Sequence, residues 1–249
     1  MVLNSFFDHI YVITLQRAVD RQEQIKVDLQ GLKYTFFFGA DKNDFDIDTL
    51  KETSIYDEVL AIKHHRYKKS LRGGQLGCSW SHRMVYEDML AKGYKKVLIL
   101  EDDVQLNMAS LSSFEKAITE LPADWELIYL DYAKNEHRNF LKRIRQYWYH
   151  IQRFFGGLNW SHKTIKNLYP RSFSAHLSRA GFHDYTDAYA ITERAAGKLL
   201  QLQTPIQFVA DNLLSHACTN EIINGFIISN KLFTQHSQST HPTDSYVNE

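Results

Sequence analysis

With 249 residues, 29 basic and 29 acidic side chains and a formal net charge of zero, the chain has no global field to draw it to nucleic acid or an anionic surface. The length suits one sizeable α/β domain with a full core. The two cysteines, Cys78 and Cys218, are far apart and show no metal-ligand spacing, so free thiols in a reducing compartment are expected.

The first segment, MVLNSFFDHIYVITLQR, lacks a basic stretch and reads as a first β-strand at His9–Leu15, not as a signal peptide. A charged helix follows over Arg17–Leu32, with Ile25, Leu29 and Leu32 at helical spacing, then a strand at Tyr34–Phe38 closed by Gly39. This β-α-β opening predicts a parallel sheet covered by helices. Residues 41–72 are polar and expected to be irregular, ending in the basic run Lys63, Arg66, Lys68, Lys69, Arg72. A helix is predicted over Gln75–Ala91, with Leu76, Trp80 and Met84 on its inner face and Gly93 as its stop. Lys96–Leu100 (KVLIL) is a buried strand that runs directly into Glu101-Asp102-Asp103.

Leu111, Phe114, Ile118 and Leu121 mark a further amphipathic helix before Pro122, and Glu126–Asp131 a further strand. Residues 134–185 change character: nine Lys/Arg face one acidic residue between Lys134 and Arg171, interleaved with aromatic rings. This insertion reads as a lid, an acceptor platform, a membrane contact through an amphipathic helix around Phe140–Phe155, or a solvated insertion whose rings pack inward. The α/β rhythm returns with a strand at Asp187–Thr192, a helix at Glu193–Leu202, a short helix at Asp211–Ala217 and a strand at Ile222–Ser229. Residues 234–249 are polar and expected to be irregular. No stretch approaches the roughly 20 apolar residues that span a bilayer. The chain is expected in the cytoplasm, or peripherally on the inner face of a membrane.

Three places carry candidate chemistry. Ligand sites in open α/β sheets lie beyond the carboxyl ends of the strands, where Glu101, Asp102 and Asp103 fall. Glu101 and Asp103, two apart, share a face of an extended segment, and crowded carboxylates repel unless a cation or hydrogen bonds neutralise them. Mg²⁺ or Mn²⁺ with oxygen ligands is the natural partner, although the spacing fits a solvated acidic turn as well. At the second place, Gly73-Gly74-Gln75-Leu76-Gly77-Cys78-Ser79-Trp80-Ser81-His82, glycines allow close approach; it lacks the Gly-Lys-Ser/Thr of a phosphate loop, and His82 alone fits a structural histidine. At the third, Thr14-Leu15-Gln16-Arg17 with Asp20-Arg21, two arginines stand where a strand turns into a helix and can brace a phosphate, or form an ordinary surface pair.

The ordered set ITL…DR, GGQLGCSWSH and KKVLILEDDV, then DAYAITERAAGKLL and PIQFVADNLL, resembles glycosyltransferase family 25, the lipooligosaccharide-biosynthesis glycosyltransferases. The likeness spans about residues 9–131 and 187–214. Thr14 stands for the usual Asn, Gln75 for Glu, and Asp187 lies near a position often held by Gly. The resemblance implies a GT-A type α/β domain with a mainly parallel sheet flanked by helices, a UDP-sugar donor and Mn²⁺ or Mg²⁺. It implies Asp103 as metal ligand and Glu101 or Asp102 at the ribose or a metal-bound water. Thr14, Arg17 and Arg21 would stand by the nucleotide, with Ser81 and His82 bracing the donor pocket. It favours inversion at the anomeric carbon, which needs a carboxylate base: Asp211 first, Asp187 second, each also readable as a helix cap or turn. His236 in the polar tail is a further candidate metal ligand. Galactose is the leading donor sugar, and a lipooligosaccharide or other surface glycan the expected acceptor. The competing class is a non-catalytic glycan- or nucleotide-binding protein of the same fold. No nucleic-acid partner is expected.

Overall fold

The computed structural model describes residues 1–236. A short helix α1 (Leu3–Phe6) precedes β1 (His9–Thr14), α2 (Val19–Asp28) and β2 (Thr35–Phe38). Two short helices, α3 (Ile47–Glu52) and α4 (Glu58–His64), lead to the long α5 (Gly73–Lys92). Next come β3 (Lys96–Glu101), β4 (Val104–Leu106), α6 (Leu111–Glu120) and β5 (Leu127–Tyr129). The insertion supplies α7 (Phe140–Phe154), α8 (His162–Lys166), β6 (Arg171–Ser172) and β7 (Leu177–Arg179). The chain continues through β8 (Ala188–Thr192), α9 (Glu193–Leu202), α10 (Ala210–Thr219), β9 (Gly225–Ile228) and β10 (Phe233–Gln235).

Eight strands form one sheet in the order β2-β1-β3-β8-β5-β9-β7-β6, while β4 and β10 pair as a separate antiparallel ribbon. Strands β2, β1, β3, β5, β9 and β6 run one way; β8 and β7 run the other. The expected α/β architecture with a mainly parallel sheet flanked by helices is therefore present, with one antiparallel strand at its centre. Alternation along the strands splits the core. Ile10, Val12, Leu98, Leu100 and Ile128 face α2 and α6, while Tyr11, Ile13, Val97, Ile99 and Tyr129 face α5, α9 and α10. Burying these side chains on both faces stabilises the domain by roughly 1.5–3 kcal/mol each. Helix α5 stops at Gly93, whose φ of 71° is the left-handed conformation that closes a helix at little cost only for glycine.

The structure departs from the sequence-based expectations in four places. Residues 41–72 are not irregular: Asp46 and Asp57 cap α3 and α4, accepting from the Thr49 and Leu60 amides, and Leu50, Tyr56 and Ala61 pack with Leu71, Leu76 and Ile206. Helices of six or seven residues are too short to show a periodic stripe. The inner face of α5 is Gly77, Ser81, His82, Val85, Tyr86 and Met89; Leu76 and Trp80 pack with the α3–α4 cluster instead. Gln235, expected in an irregular tail, ends β10, which pairs with β4; residues 237–249 of that tail lie outside the described residues. The insertion is in part a piece of the main domain, because β7 pairs with β9 and Leu158, Trp160, Ile165, Leu168 and Phe182 form a small core of their own.

Candidate active site

Topology brings the separated motifs together beyond the carboxyl ends of β1 and β3. The parallel strands β1 and β3 end there at Thr14 and Glu101, and antiparallel β8 starts there, so Asp187 stands beside Glu101 and its carbonyl accepts the Glu101 amide at 2.9 Å. The first turn of α10 adds Asp211, and the start of α5 closes the opposite wall. A cavity of about 310 Å³ results. Thr14, Arg17, Arg21, Ser81, His82, Glu101, Asp102, Asp103, Asp187 and Asp211 all line it, while His236 does not.

Glu101 is held on two sides. His82 Nε2 lies 3.3 Å from its Oε1, and Thr186 Oγ1 donates to the same oxygen at 2.5 Å. Burial opposes the Glu101 charge, but the His82 and Thr186 bonds outweigh it and hold the carboxyl below its usual range. A His82 ring donating from Nε2 accepts at Nδ1 from the Tyr189 hydroxyl, 2.7 Å away, and Tyr189 in turn bonds Tyr86 at 2.9 Å. This chain runs from the core to the carboxylate and orients it.

The neighbouring carboxylates divide by their partners. Asp102 uses both oxygens inside the protein: Thr14 Oγ1 donates at 2.6 Å and Arg21 at 2.8 Å. It anchors Arg21 across the cavity floor, and Arg21 also reaches Asp103 at 3.9 Å. Asp103 accepts from Gln235 at 2.9 Å through Oδ2, whereas its Oδ1 is buried with no hydrogen-bond partner among the described residues. Asp187 Oδ2 and Asp211 Oδ1 are orphaned in the same way. Burial, then the Glu101 charge, pushes Asp103 up to about 7. Burial, then Asp184, pushes Asp211 up to about 6, and Asp187 is raised well above the carboxylate range, first by burial and then by Glu101. Oxygens of Glu101, Asp103 and Asp187 all lie within 4.8 Å of one another. An all-oxygen group of buried and half-buried, mutually repelling carboxylates fits a hard divalent cation.

Three further candidates have partners of their own within the protein. Ser81 serves the scaffold: its hydroxyl donates to the Gly77 carbonyl at 2.7 Å and accepts the Ala40 amide at 2.9 Å. Gly77 permits this approach, since a Cβ there would stand 2.7 Å from the Ala40 carbonyl oxygen. Arg17 donates from Nε to Asp41. His236 stands at the edge: its amide donates to the Asp103 carbonyl at 2.7 Å, but its ring Nε2 bonds Asp28 at 2.7 Å. Metal ligation through that nitrogen would require the Asp28 bond to break. Sequence reasoning missed Asp41, Thr186 and Gln235. Thr186 had a signal in its position beside Asp187; Gln235 had none, because only the β4–β10 pairing carries it to Asp103.

The chain is similar in sequence to proteins of one family. Residues 7–214 match the family described as glycosyltransferase family 25 (LPS biosynthesis protein). Procollagen galactosyltransferase 2 of Homo sapiens is 29% identical over 130 residues, 50% of this chain and 20% of that protein. The inactive glycosyltransferase 25 family member 3 of Homo sapiens is 29% identical over 131 residues, 50% of this chain and 22% of its own length. A glycosyltransferase 25 family member of Anopheles gambiae is 26% identical over 207 residues, 78% of this chain and 29% of the relative. The matched stretch thus spans less than a third of each of these proteins. Among solved structures, apo mouse xyloside xylosyltransferase 1 superimposes with a TM-score of 0.42 and 11% identity, covering 87% of this chain and 83% of that one. With the family match running over most of its length and the motifs gathered in order around one cavity, the chain belongs to glycosyltransferase family 25.

Proposed function

We propose that this chain transfers a hexose, galactose first among candidates, from a UDP-sugar to a glycan hydroxyl, with inversion and with Mn²⁺ or Mg²⁺ at the acidic cavity. The observation that carries this reading is the convergence of Glu101, Asp103 and Asp187, with one buried oxygen each of Asp103 and Asp187 lacking a partner among the described residues. Those three residues would hold the cation. A bound divalent ion supplies neutralisation of the departing diphosphate. Arg21 from the first turn of α2, oriented by Asp102, and Arg17 from the turn after β1 bind the phosphates. Asp211 Oδ1 takes the proton from the acceptor hydroxyl, because a carboxylate held at about 6 is both deprotonated and basic enough near neutral pH. Asp187, also a base candidate by sequence, belongs better with the cation ligands because it stands among them.

The proposed acceptor is a lipooligosaccharide or other surface glycan, reached from the cytoplasmic face of a membrane. Helix α7 supports that setting: Phe140, Leu141, Tyr147, Trp148 and Phe154 are exposed beside Lys142, Arg143, Arg145 and Arg153. An apolar stripe with cationic flanks suits an anionic lipid surface. No helix among the described residues is long and apolar enough to cross a membrane.

A second reading, a non-catalytic glycan- or nucleotide-binding member acting as an adaptor, draws on the relative named inactive. UDP release from a panel of UDP-sugars, in Mn²⁺ and then EDTA, separates the two for wild type and Asp103→Asn. Metal-dependent release, lost with EDTA and reduced at least a hundredfold in Asp103→Asn, is expected. Absence of both release and calorimetric UDP binding would replace the transferase reading with the adaptor one.

A further inference from the structure

A second cavity, of about 330 Å³, lies behind the first turn of α10. Asp211 lines the carboxylate cavity and the next residue, Asn212, lines this one, so a single helical turn separates the two. Its walls come from the segments that the chemistry above leaves unused: Lys63, His64 and Arg66 from the basic run, Trp160 from the insertion, and Asn212 and His216 from α10. No carboxylate lines it among the described residues.

Arg66 is one of the residues lining this cavity. Its guanidinium stacks 4.2 Å from the Trp160 ring centroid and 5.1 Å from that of Tyr149, yet its Nε is buried with no hydrogen-bond partner among the described residues. Ring faces hold a guanidinium in place but leave its in-plane N–H groups to be satisfied by another acceptor. A buried donor without an acceptor keeps its desolvation cost, which an anionic ligand would offset through charge-assisted bonds. His216 adds a neutral donor. Burial, then His64, lowers its ring to about 4, and Asn220 Nδ2 donates to its Nδ1 at 3.3 Å, leaving Nε2–H for a ligand. The volume lies at the small end of ligand pockets and suits a single sugar unit.

We propose that this second cavity is an acceptor subsite that recognises a sugar carrying a compact anionic substituent, a phosphate or a carboxylate, with Arg66 as its anchor and His216 and Asn212 as polar contacts. The word acceptor rests on the transferase reading; the binding itself does not. Calorimetry in EDTA, without any nucleotide, tests it with glucose 6-phosphate, glucuronate, glucose and inorganic phosphate. At least one anionic sugar should bind tenfold or more tighter than glucose and tighter than inorganic phosphate, and the preferred one identifies the anion. Arg66→Gln should abolish that preference while UDP binding in Mn²⁺ and the thermal midpoint stay unchanged. Should that variant fold poorly, Lys63→Gln on the exposed rim should weaken the anionic sugar at least threefold. Equal binding of glucose, no binding of any sugar, inorganic phosphate matching the sugar phosphate, or an Arg66→Gln protein with unaltered preference would each overturn the proposal. Loss of UDP binding in the wild type would instead overturn the transferase reading and leave this site standing.

Discussion

His183 is buried with both ring nitrogens committed: Nδ1 faces the Lys134 carbonyl at 3.1 Å, and Nε2 accepts the Gly181 amide at 3.0 Å. Only a neutral ring satisfies both bonds, and burial lowers its pKa to about 4. The folded pKa lies below the unfolded one, so the stability His183 contributes is complete above about 6.5 and is lost as pH falls toward 4. Between pH 7 and pH 5 this amounts to roughly 2 kcal/mol. Urea unfolding at the two pH values should show that difference between the slopes of wild type and His183→Gln; parallel slopes would mean the ring is not its source. At the acidic cavity the same logic separates neighbours of one residue type. Asp102 has every oxygen engaged, while Asp103 and Asp187 each keep one orphan. The triplet Glu101-Asp102-Asp103 marked the place in the sequence, but the division of labour within it depends on Thr14, Arg21 and Gln235, which arrive from β1, α2 and β10.

Among the elements, α7 is the one whose exposed face contradicts ordinary burial. Phe154 is 84% exposed and Phe140 74%, whereas Gln146 on the opposite face is buried and donates to the Lys166 carbonyl at 2.9 Å. Exchanging Trp148 and Phe154 together for Ser should therefore leave the thermal midpoint within about 1–2 °C, because exposed substitutions change stability by less than about 0.5 kcal/mol. The same variant should lose at least tenfold in sedimentation with vesicles containing anionic lipid. Unchanged sedimentation would remove the membrane role from α7. The amphipathic spacing of this helix was legible in the sequence; which face lies open depended on α8 and the Trp160 cluster covering only one side. The short helices α3 and α4 were not legible, since their stability comes from packing on Leu71, Leu76 and Ile206 and not from their own periodicity.

For the whole molecule, the cavity is shared by β1, β3, the segment leading into β8, α5 and α10, so a ligand filling it ties together elements distant in the chain. UDP with Mn²⁺ at about a hundred times its Kd should add about 2.7 kcal/mol, a rise of roughly 5–10 °C in the unfolding midpoint for a domain of this size. The rise should vanish in EDTA and in Asp103→Asn; an equal rise with UDP alone would argue against a cation at Glu101, Asp103 and Asp187. The α/β alternation, the strand that runs into three acids and the ordered motifs of the family are written in the primary structure. Those are local properties, written in hydrophobic period and residue type over a few consecutive positions. The tertiary structure alone decided that β8 runs antiparallel, which sets Asp187 beside Glu101. It also decided that β10 delivers Gln235 to Asp103, and that the basic run meets the insertion to enclose Arg66. Those are pairings between residues far apart in the chain, fixed by strand register and by the burial of opposite sheet faces, and no short stretch of sequence records them.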